Sequence, residues 1–554
     1  MKRILQIAFF LATQSVAAQN HSWVKQIGGL GFDYGVDVTS DDDGNTYSIG
    51  KFSGTVDFDP GPSEYNLTSN GGEDIYILKL DNEGSFVWAR AFGGVDSESP
   101  GALALDDSGN IYSCGDFTGN VDFDPGAGTF EMYGVRKVYI SKLDASGNFV
   151  WAKSVGGDHY TYAKSLFIDH HGNVLVTGHF EIAVDFDPGP DKFMLYTSAG
   201  YSAYILKLDK DGNFVWAKAP GGSNYVDGFS ICSDANANVY VLGHFSATVD
   251  FDPGIETYEL TAAGNKDVFI CVLNTDGNFL WANRLGGPGN DSGTSLTLDN
   301  DNNIYITGNF GGLADFDPGA EDYPLLSSGY SDIFISKLDP TGAFLWAKRV
   351  GGSDNDNSNS IAVDHFGNVF VSGTFHALAD FDPDELSEYT MSSKGDLDAF
   401  VLKLDSNGEF LGSVQIGGFN VDYLIATVNT IGHVCSTGFF TYTVDFDPMG
   451  GKMELQSKGY YDSFVMMMSG DLVLGIEEAE EKGVNAFPNP VSTTIKIVVD
   501  PKLIGCQFSL FDLRGNKVRS GAIVAATTPV SVDDLQHGIY FIQVLDRVYK
   551  IVKQ

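Results

Sequence analysis

The stretch Val56-Asp57-Phe58-Asp59-Pro60-Gly61 (VDFDPG) specifies the fold, because the chain contains it or a close variant seven times. Successive copies are 65, 63, 65, 65, 65 and 65 residues apart. A period held this regularly indicates one supersecondary unit that is copied and stacked. The first Asp of each copy is, in order, Asp57, Asp122, Asp185, Asp250, Asp315, Asp380 and Asp445.

The repeat at residues 360–416 shows the strand content of one unit. Alternating and apolar runs predict strands at Ser360–Val363, Val369–Phe375, Ala399–Leu404 and Phe410–Ile416. Four short strands per repeat, joined by Gly-rich turns, are typical of one propeller blade. Residues 19–475 are therefore predicted to form an all-β, seven-bladed β-propeller.

The predicted outer strand of the repeat carries a tryptophan, and an extra copy of that strand comes first in the chain. The pattern F-(V/L)-W-A recurs at Trp88, Trp151, Trp216, Trp281 and Trp346, and the last full repeat has Gly412 instead. The extra copy is Trp23–Gly29. We expect it to complete the last blade, so that neither chain end leaves an unpaired strand edge. The alternative closing strand is Leu472–Leu474.

The repeat also resembles a known family. Its units follow S-(I/L)-x-(V/L)-D-x-x-G-N-(V/I)-Y-(V/I)-T-G and then D-(A/I)-F-(V/I)-x-K-L-D-x-x-G-x-F-x-W-A-K-x-x-G-G. These units resemble the β-propeller repeats of secreted bacterial proteins, over about residues 22–475. The resemblance implies the fold and no particular activity, because propellers host binding, scaffolding and catalysis alike.

Both ends of the chain suggest export. A basic start, an apolar run Ile4–Ala12 and small residues up to Ala18 predict a signal peptide at residues 1–18. Residues 476–483 are an acidic linker without apolar periodicity. No later run of eighteen apolar residues predicts a membrane-spanning helix.

Residues 484–554 are predicted to form a small β-sandwich. Its expected strands are Thr494–Val499, Gln507–Asp512, Val530–Val532 and Ile539–Leu545. The motifs FPNP (487–490), FDLRGNKV (511–518), LQHGIYF (535–541) and the final KIVK resemble the C-terminal sorting domain of the type IX secretion system of Bacteroidetes-type bacteria. That resemblance implies the secretion machinery as a partner, export across the outer membrane, removal of this domain, and release or attachment of the body at the cell surface.

The composition excludes some partners. A formal charge of -40 should repel nucleic acid and anionic lipid and attract cations. The five cysteines fall in strands that cannot be bridged or in different repeats. They are predicted to be small buried hydrophobic residues. They are Cys114, Cys232, Cys271, Cys435 and Cys506.

The DFDP copies are the candidate metal site. Asp59-Pro60-Gly61 fits a type II turn with Gly at positive φ, and Asp384 and Met449 replace that Gly in two copies, so those turns should differ. This turn explains the second Asp and leaves the first unexplained. Hard oxygen ligands suit calcium, the possible cofactor, against the alternative of solvated turn residues. The fourteen carboxylates, joined by the loop Asp354–Asn357, are Asp57, Asp59, Asp122, Asp124, Asp185, Asp187, Asp250, Asp252, Asp315, Asp317, Asp380, Asp382, Asp445 and Asp447.

Other candidate sites are weaker. Turns such as Asp209–Asn213 resemble fragments of calcium loops but lack the remaining ligands, so they are predicted to be plain turns. His179 and His244 precede the Phe that ends two adjacent second strands, where a metal site competes with a variable polar position. The segments 159–162 and 170–171 are predicted to be turn and surface residues.

The sequence contains no G-x-S-x-G, H-E-x-x-H or phosphate-binding loop. We therefore expect a secreted or surface-attached, non-enzymatic binding, adhesion or scaffold module with an extracellular protein or glycan ligand. The alternative is a secreted polysaccharide hydrolase or lyase that uses the acidic DFDP face.

Overall fold

The computed structural model describes two parts of the chain. The first is residues 23–469, without 222–224, 385, 419–421, 429–431 and 448–451. The second is residues 484–553, without 488–493, 500–503, 505, 513–516, 526, 536–537 and 545–546. The chain divides into two compact units, Met1–Gly475 and Ile476–Gln554. The predicted signal peptide and linker lie outside the described residues.

The first unit is a β-propeller of seven four-stranded antiparallel blades, as the period predicted. We number the blades 1 to 7 by the order of their first strands. The first strands are Asp33–Ser40, Ser99–Leu105, Thr161–Ile168, Val226–Ser233, Ser292–Leu298, Asn357–Val363 and Tyr423–Val428. The second strands are Thr46–Asp57, Ile111–Asp122, Val174–Asp185, Val239–Phe245, Ile304–Phe310, Val369–Phe375 and Val434–Phe440. First strands of neighbouring blades contact each other around the ring.

The outer half of each blade follows the same order. The third strands are Asn66–Leu80, Glu131–Leu143, Met194–Leu208, Asp267–Leu273, Asp332–Leu338, Asp398–Leu404 and Asp462–Met468. The outer strands of blades 1 to 6 are Phe86–Phe92, Phe149–Val155, Phe214–Lys218, Phe279–Leu285, Phe344–Gly352 and Phe410–Gly418.

Blade 7 takes its outer strand from the N-terminal segment. Trp23–Ile27 pairs antiparallel with Asp462–Met468, with Trp23 opposite Met467. The predicted closure is therefore confirmed, and both chain ends of the ring share one blade. The Trp23 indole also donates to the backbone carbonyl of Asn82 in blade 1 (3.1 Å).

Each DFDP segment lies at the tip of a hairpin and not in an irregular loop. In blades 1 to 3 the second and third strands continue into this hairpin. In blades 4 to 7 a separate short pair forms it: Thr248–Asp250 with Glu259–Thr261, Leu313–Asp315 with Pro324–Leu326, Leu378–Asp380 with Thr390–Ser392, and Thr443–Asp445 with Glu454–Gln456. Every hairpin begins at a left-handed residue, occupied by Gly54, Gly119, Ile182, Ala247, Gly312, Ala377 and Tyr442.

The hydrophobic core consists of clusters that each join neighbouring blades. Phe58 of the first DFDP is fully buried there, 5.2 Å from the Phe52 ring and 5.0 Å from Tyr76. All five cysteines are free thiols. Four are buried as predicted, but Cys506 is only partly buried, because it precedes a strand of the smaller unit.

The second unit contains two sheets that share one apolar core. Val484–Phe487, Thr494–Val499 and Thr527–Ser531 form the first sheet. Gln507–Asp512, Lys517–Ala522, Gly538–Val544 and Arg547–Lys553 form the second. Core residues such as Ile497 and Ile542 come from both sheets. This is the predicted β-sandwich, with three strands that the sequence pattern did not mark.

The described residues of both units are in strands, turns and loops. Among them there is no helix with the length and apolar character needed to cross a membrane.

Candidate functional site

In each DFDP hairpin, the carboxylates accept hydrogen bonds from backbone N–H groups of the same hairpin. Asp57 Oδ1 accepts hydrogen bonds from the backbone N–H groups of Asp59 (3.1 Å) and Tyr65 (2.8 Å). The same pair of bonds recurs in the other six copies. The first Asp, which the sequence left unexplained, therefore fixes both sides of the hairpin tip.

The second Asp of DFDP also accepts a backbone bond, and the predicted type II turn is wrong. Asp59 Oδ1 accepts the Gly61 N–H at 2.8 Å, and Gly61 does not have positive φ. The turn is closed by a side chain, which needs no left-handed residue. Asp384 makes the same contact to Asp382 (3.0 Å), but this turn differs as expected, because the Tyr389 N–H that bonds Asp380 lies nine residues along the chain and not eight as in the other copies. Met449 lies outside the described residues.

Each DFDP hairpin also joins its blade to the preceding one. Asp57 forms a β-bridge with Gly28 of the blade 7 outer strand, and Asp122 forms one with Gly93 after blade 1. The remaining five copies pair with Gly156, Gly221, Gly286, Gly351 and Gly417. The repeated motif is thus a connector between blades. Calcium binding by its carboxylates stays a prediction.

Turns such as Asp209–Asn213 were predicted to be plain turns, although they resemble fragments of calcium loops. The Asp209 carboxylate accepts the N–H groups of Asp211 and Asn213, both at 2.9 Å, which confirms a plain turn. In the described parts of the chain, no three His, Cys, Asp or Glu side chains gather in a group that could hold a metal ion.

The residues that differ most between blades lie near the start of the first strand and opposite them in the second strand, just before its Phe. At this place one residue of the first strand lies opposite one residue of the second strand. In every second strand that residue stands between a Gly and a Phe. The seven facing pairs are Tyr34/Lys51, Ser99/Asp116, Tyr162/His179, Asp227/His244, Ser292/Asn309, Asn357/Thr374 and Tyr423/Phe439. The blades therefore differ at this place while the scaffold around it stays constant.

Blade 3 and the start of blade 4 carry a continuous set of rings at this surface, which we call the tyrosine–histidine cluster: Tyr160, Tyr162, His179, Tyr201 and Tyr225. The Tyr160 and Tyr162 rings are stacked at 5.6 Å. His179 lies 4.8 Å from Tyr162 and 4.7 Å from Tyr201. Tyr225 follows at 4.9 Å from Tyr201 and is 54% exposed. The prediction that residues 160–162 are surface turn residues is wrong, because Thr161 is buried and begins a strand.

A buried carboxylate holds the imidazole of the cluster. His179 Nδ1 lies 2.8 Å from Asp227 Oδ1, and the Asp227 residue is 7% exposed. Burial, with a smaller contribution from the Asp227 charge, raises the pKa of Tyr201 above its usual value. The neighbouring phenol therefore stays protonated at neutral pH and is able to donate a hydrogen bond.

Two basic side chains beside the cluster make no ion pair with any carboxylate in the described parts of the chain. The Arg136 guanidinium lies 3.4 Å from the Tyr160 ring centroid, and its backbone is left-handed (φ 57). A non-glycine residue in that conformation is strained, and such strain is concentrated at functional sites. The exposed Lys164 lies over the Phe229 ring, and its charge lowers the pKa of the nearby Asp116, which burial raises to about 6.

The two histidines have different partners. His244 Nδ1 lies 2.8 Å from Ser292 Oγ, and Lys266 Nζ lies 3.3 Å from His244 Nε2. Burial and the Lys266 charge lower the pKa of His244 to about 4. His244 is thus a buried neutral group, whereas His179 belongs to the cluster. Tyr201, Arg136 and Asp227 were missed, and their only sequence signal was the departure of these repeats from the common pattern.

Family models match both units. Residues 485–554 match the secretion system C-terminal sorting domain, and residues 280–309 and 345–374 match the β-propeller repeat. The chain is therefore a propeller repeat protein with a secretion sorting domain. The sorting domain indicates export by the type IX secretion system to the cell surface or the extracellular space.

Curated relatives are distant. An uncharacterized WD repeat-containing protein of Acanthamoeba polyphaga mimivirus is 22% identical in an alignment 471 residues long that covers 71% of this chain and 34% of that protein. The regulatory protein FlaEY of Caulobacter vibrioides is 27% identical over 197 residues, 34% of this chain and 20% of that protein. The chain thus spans at most about a third of these relatives.

One solved structure with some likeness is a polysaccharide lyase of family PL25, an ulvan lyase, with 14% sequence identity. The superposition covers 79% of this chain and 97% of that chain and has a TM-score of 0.37. Another is PorZ, a surface component of the type IX secretion system of Porphyromonas gingivalis, with 11% identity, 94% and 81% covered, and a TM-score of 0.21. TM-scores this low assign no function.

Proposed function

We propose that this protein is an exported, non-enzymatic glycan-binding propeller, and that its ligand carries acidic groups. The observation that carries the proposal is the tyrosine–histidine cluster, a run of partly exposed rings on the two junctions that break the repeat. Aromatic faces present apolar area with hydrogen-bonding edges, which suits the C–H faces and hydroxyl groups of sugar rings.

The acidic groups of the ligand follow from charge. The chain has a formal charge of -40, yet Arg136 and Lys164 lie beside the cluster without an ion-pair partner among the described residues. A carboxylate or sulfate on the ligand would pair with the planar Arg136 guanidinium. The surrounding acidic surface would repel the same ligand elsewhere and so restrict it to this site.

Cleavage of the glycan is the second candidate, and the His179–Asp227 pair favours it. An imidazole held by a carboxylate is a common arrangement for general acid–base catalysis. A tyrosine acting as the base would need a lowered pKa, however, and the pKa values of both Tyr162 and Tyr201 are raised by burial. The electrostatics of the cluster therefore favour binding over proton abstraction.

The experiment is a glycan array followed by calorimetric titration with the mature protein, with products analysed in parallel. We expect micromolar binding of an acidic glycan without cleavage, and at least about a tenfold loss for Tyr162→Ala and Arg136→Ala. Tyr196→Ala, which alters a 72% exposed tyrosine outside the cluster, is the matched control. Binding that all variants retain contradicts the proposed site. Products that disappear in His179→Ala establish the second candidate.

We also propose that the sorting domain is removed during export, so that the mature protein lacks residues from about Val484 onward. The match of residues 485–554 to the sorting domain supports this. Intact-mass analysis of the protein from its native cell envelope and from the medium is the test. A mature chain that still ends at Gln554 would refute the removal, and its location shows whether the body is released or attached.

A further inference from the structure

Five of the seven junctions between blades contain a pair of buried carboxylates outside the DFDP motif. One member begins a third strand in four of the pairs and lies within the long third strand Asn66–Leu80 in blade 1, and the other precedes or begins the first strand of the next blade. The pairs are Asp74/Glu98, Asp267/Asp291, Asp332/Asp356, Asp398/Asp422 and Asp462/Asp33, and every member is at most 2% exposed. Asp356 belongs to the loop Asp354–Asn357 that was expected to join the DFDP carboxylates, and it is buried instead.

The pairs are one repeated unit. In each, the backbone N–H of the second acid donates to the carbonyl of the residue before the first, as Glu98 does to Glu73 (3.0 Å) and Asp291 does to Lys266 (2.9 Å). The two junctions without the pair lack both members together, with Lys137/Thr161 and Ser202/Val226 at these places. Joint loss indicates that the two carboxylates act together.

Four of the five pairs have a polar partner from the outer strand. Arg284 Nη1 lies 2.6 Å from Asp267, and Arg349 Nη1 lies 2.7 Å from Asp332. Gln415 and Gln26 donate at the same place to Asp398 and Asp462. The scaffold therefore places positive or donor groups beside these acids, as burial of two carboxylates requires.

The junction between blades 1 and 2 lacks this partner. Its outer-strand residue is Ala91, at the position of Arg284 and Arg349. Asp74 Oδ1 and Glu98 Oε1 are buried and have no hydrogen-bond partner. The other two oxygens accept the N–H groups of Asn70 (3.0 Å) and Gly94 (3.1 Å), which fixes both side chains. At the junction between blades 4 and 5 the corresponding oxygens accept backbone N–H groups, from Gly264 to Asp267 Oδ1 and from Gly311 to Asp291 Oδ1, and the guanidinium contacts Asp267 Oδ2. The junction between blades 1 and 2 thus lacks these backbone donors as well as the guanidinium. Asp398 Oδ1 and Asp422 Oδ1, in the pair beside Gln415, are likewise without a hydrogen-bond partner.

We propose that the junction between blades 1 and 2 binds a divalent cation, calcium in preference to monovalent ions, through Asp74 and Glu98. A charge of 2+ neutralises both carboxylates, and calcium accepts carboxylate, backbone carbonyl and water oxygens together. Ala91 has a smaller side chain than the Arg or Gln at the equivalent place of the other four junctions, and the cation would take the place of their polar group. The same ion would lock blade 1 to blade 2, one junction away from the tyrosine–histidine cluster.

Calcium titration and melting of the mature protein, first stripped with a chelator at pH 8, test the proposal. We expect a stoichiometry of about one, and a rise in melting temperature of about 3 °C or more with millimolar calcium, because the ion binds only the folded chain. Sodium at matched ionic strength should not reproduce the shift. Glu98→Gln should abolish it.

Ala91→Arg is the decisive variant, because it restores the residue of the neighbouring junctions. Its melting temperature in chelator should approach that of the calcium-loaded protein and should no longer respond to calcium. Ala91→Gln, which introduces the residue type of Gln415 and Gln26, repeats the test with a smaller side chain. A stripped protein that ignores calcium overturns the proposal, as does a response that survives in Glu98→Gln and Ala91→Arg, which would place the ion at the DFDP carboxylates.

Discussion

The junctions between blades 2 and 3 and between blades 3 and 4 differ from the other five. Five junctions are filled by a buried carboxylate pair, and these two have Lys137 with Thr161 and Ser202 with Val226 instead. The tyrosine–histidine cluster extends along these same two junctions. All seven keep the DFDP bridge to the preceding blade. The DFDP bridge connects the blades at all seven junctions. The proposed ligand site lies at the two junctions that lack the carboxylate pair.

The largest effect should come from opening the ring at the junction between blades 7 and 1. Deleting residues 19–29 removes the outer strand of blade 7 and the buried Trp23, at a cost of about 3–5 kcal/mol or more. Hydrogen exchange should rise first in Val434–Phe440 and Asp462–Met468, which lose their strand neighbour. Exchange that rises first in Asp33–Ser40 would show that blade 1 depends on this strand more than blade 7 does.

The carboxylate pairs can be compared directly with the junctions that lack them. Arg349→Ala leaves Asp332 without its guanidinium, and the free energy of unfolding should fall by about 2 kcal/mol, since the Arg349 side chain is itself partly exposed. Ser154→Ala changes the same position at the junction between blades 2 and 3 and should stay within about 0.5 kcal/mol. Urea unfolding measures both. Equal effects would remove the distinction between the two kinds of junction.

Stability should fall as the pH rises toward 8. Burial, together with the Asp74 charge, raises the pKa of Glu98 to about 8, and burial raises the pKa values of Asp356 and Asp422 to about 7. These groups titrate near pH 4 when unfolded. Between these values the folded chain holds protons that the unfolded chain has released, so stability is present at low pH and lost as the pH rises through the folded values.

Melting in chelator between pH 5 and pH 8 checks this dependence. Glu98→Gln should flatten the curve by about 1–2 kcal/mol over that range, because it removes one titrating group. Lys137→Gln, at a junction without the pair, should leave the slope unchanged. A wild-type melting temperature that rises from pH 5 to pH 8 would contradict the assignment.

The smallest effect concerns the motif that every junction shares. Asp185→Ala in blade 3 and Asp315→Ala in blade 5 each remove an acceptor of two backbone bonds, at a cost of about 1 kcal/mol. Only the second of these junctions has the carboxylate pair. The two costs should nevertheless agree, because the hydrogen bonds of the hairpin do not involve that pair. A twofold difference would mean that the pair and the hairpin are coupled. Asp→Asn at the same positions keeps the acceptor oxygen and should cost less.

The blade count, the strand pattern and the closure could all be predicted from the amino-acid sequence. A fixed period and alternating apolar residues are local properties, and they marked the strand Val369–Phe375 to its last residue. The extra copy at Trp23 showed how the ring closes, since only one strand was missing from the last repeat. The C-terminal motifs indicated the sorting domain in the same way.

The roles of the acids could not be predicted in this way. The sequence drew attention to Asp57 and Asp59 because they repeat, whereas the structure shows that their oxygens bind backbone N–H groups eight residues or fewer away. Glu98, the second acid of the Asp74 pair, and Tyr225, which contacts the Tyr201 ring, lie at the start of the next blade. Tyr201 contacts Tyr225, and the Glu98 N–H donates to the carbonyl of the residue before Asp74, only because the ring packs adjacent blades against each other. Contacts between blades depend on the packing of repeats, so the tertiary structure was needed to show where the carboxylates are buried and where the rings form one surface.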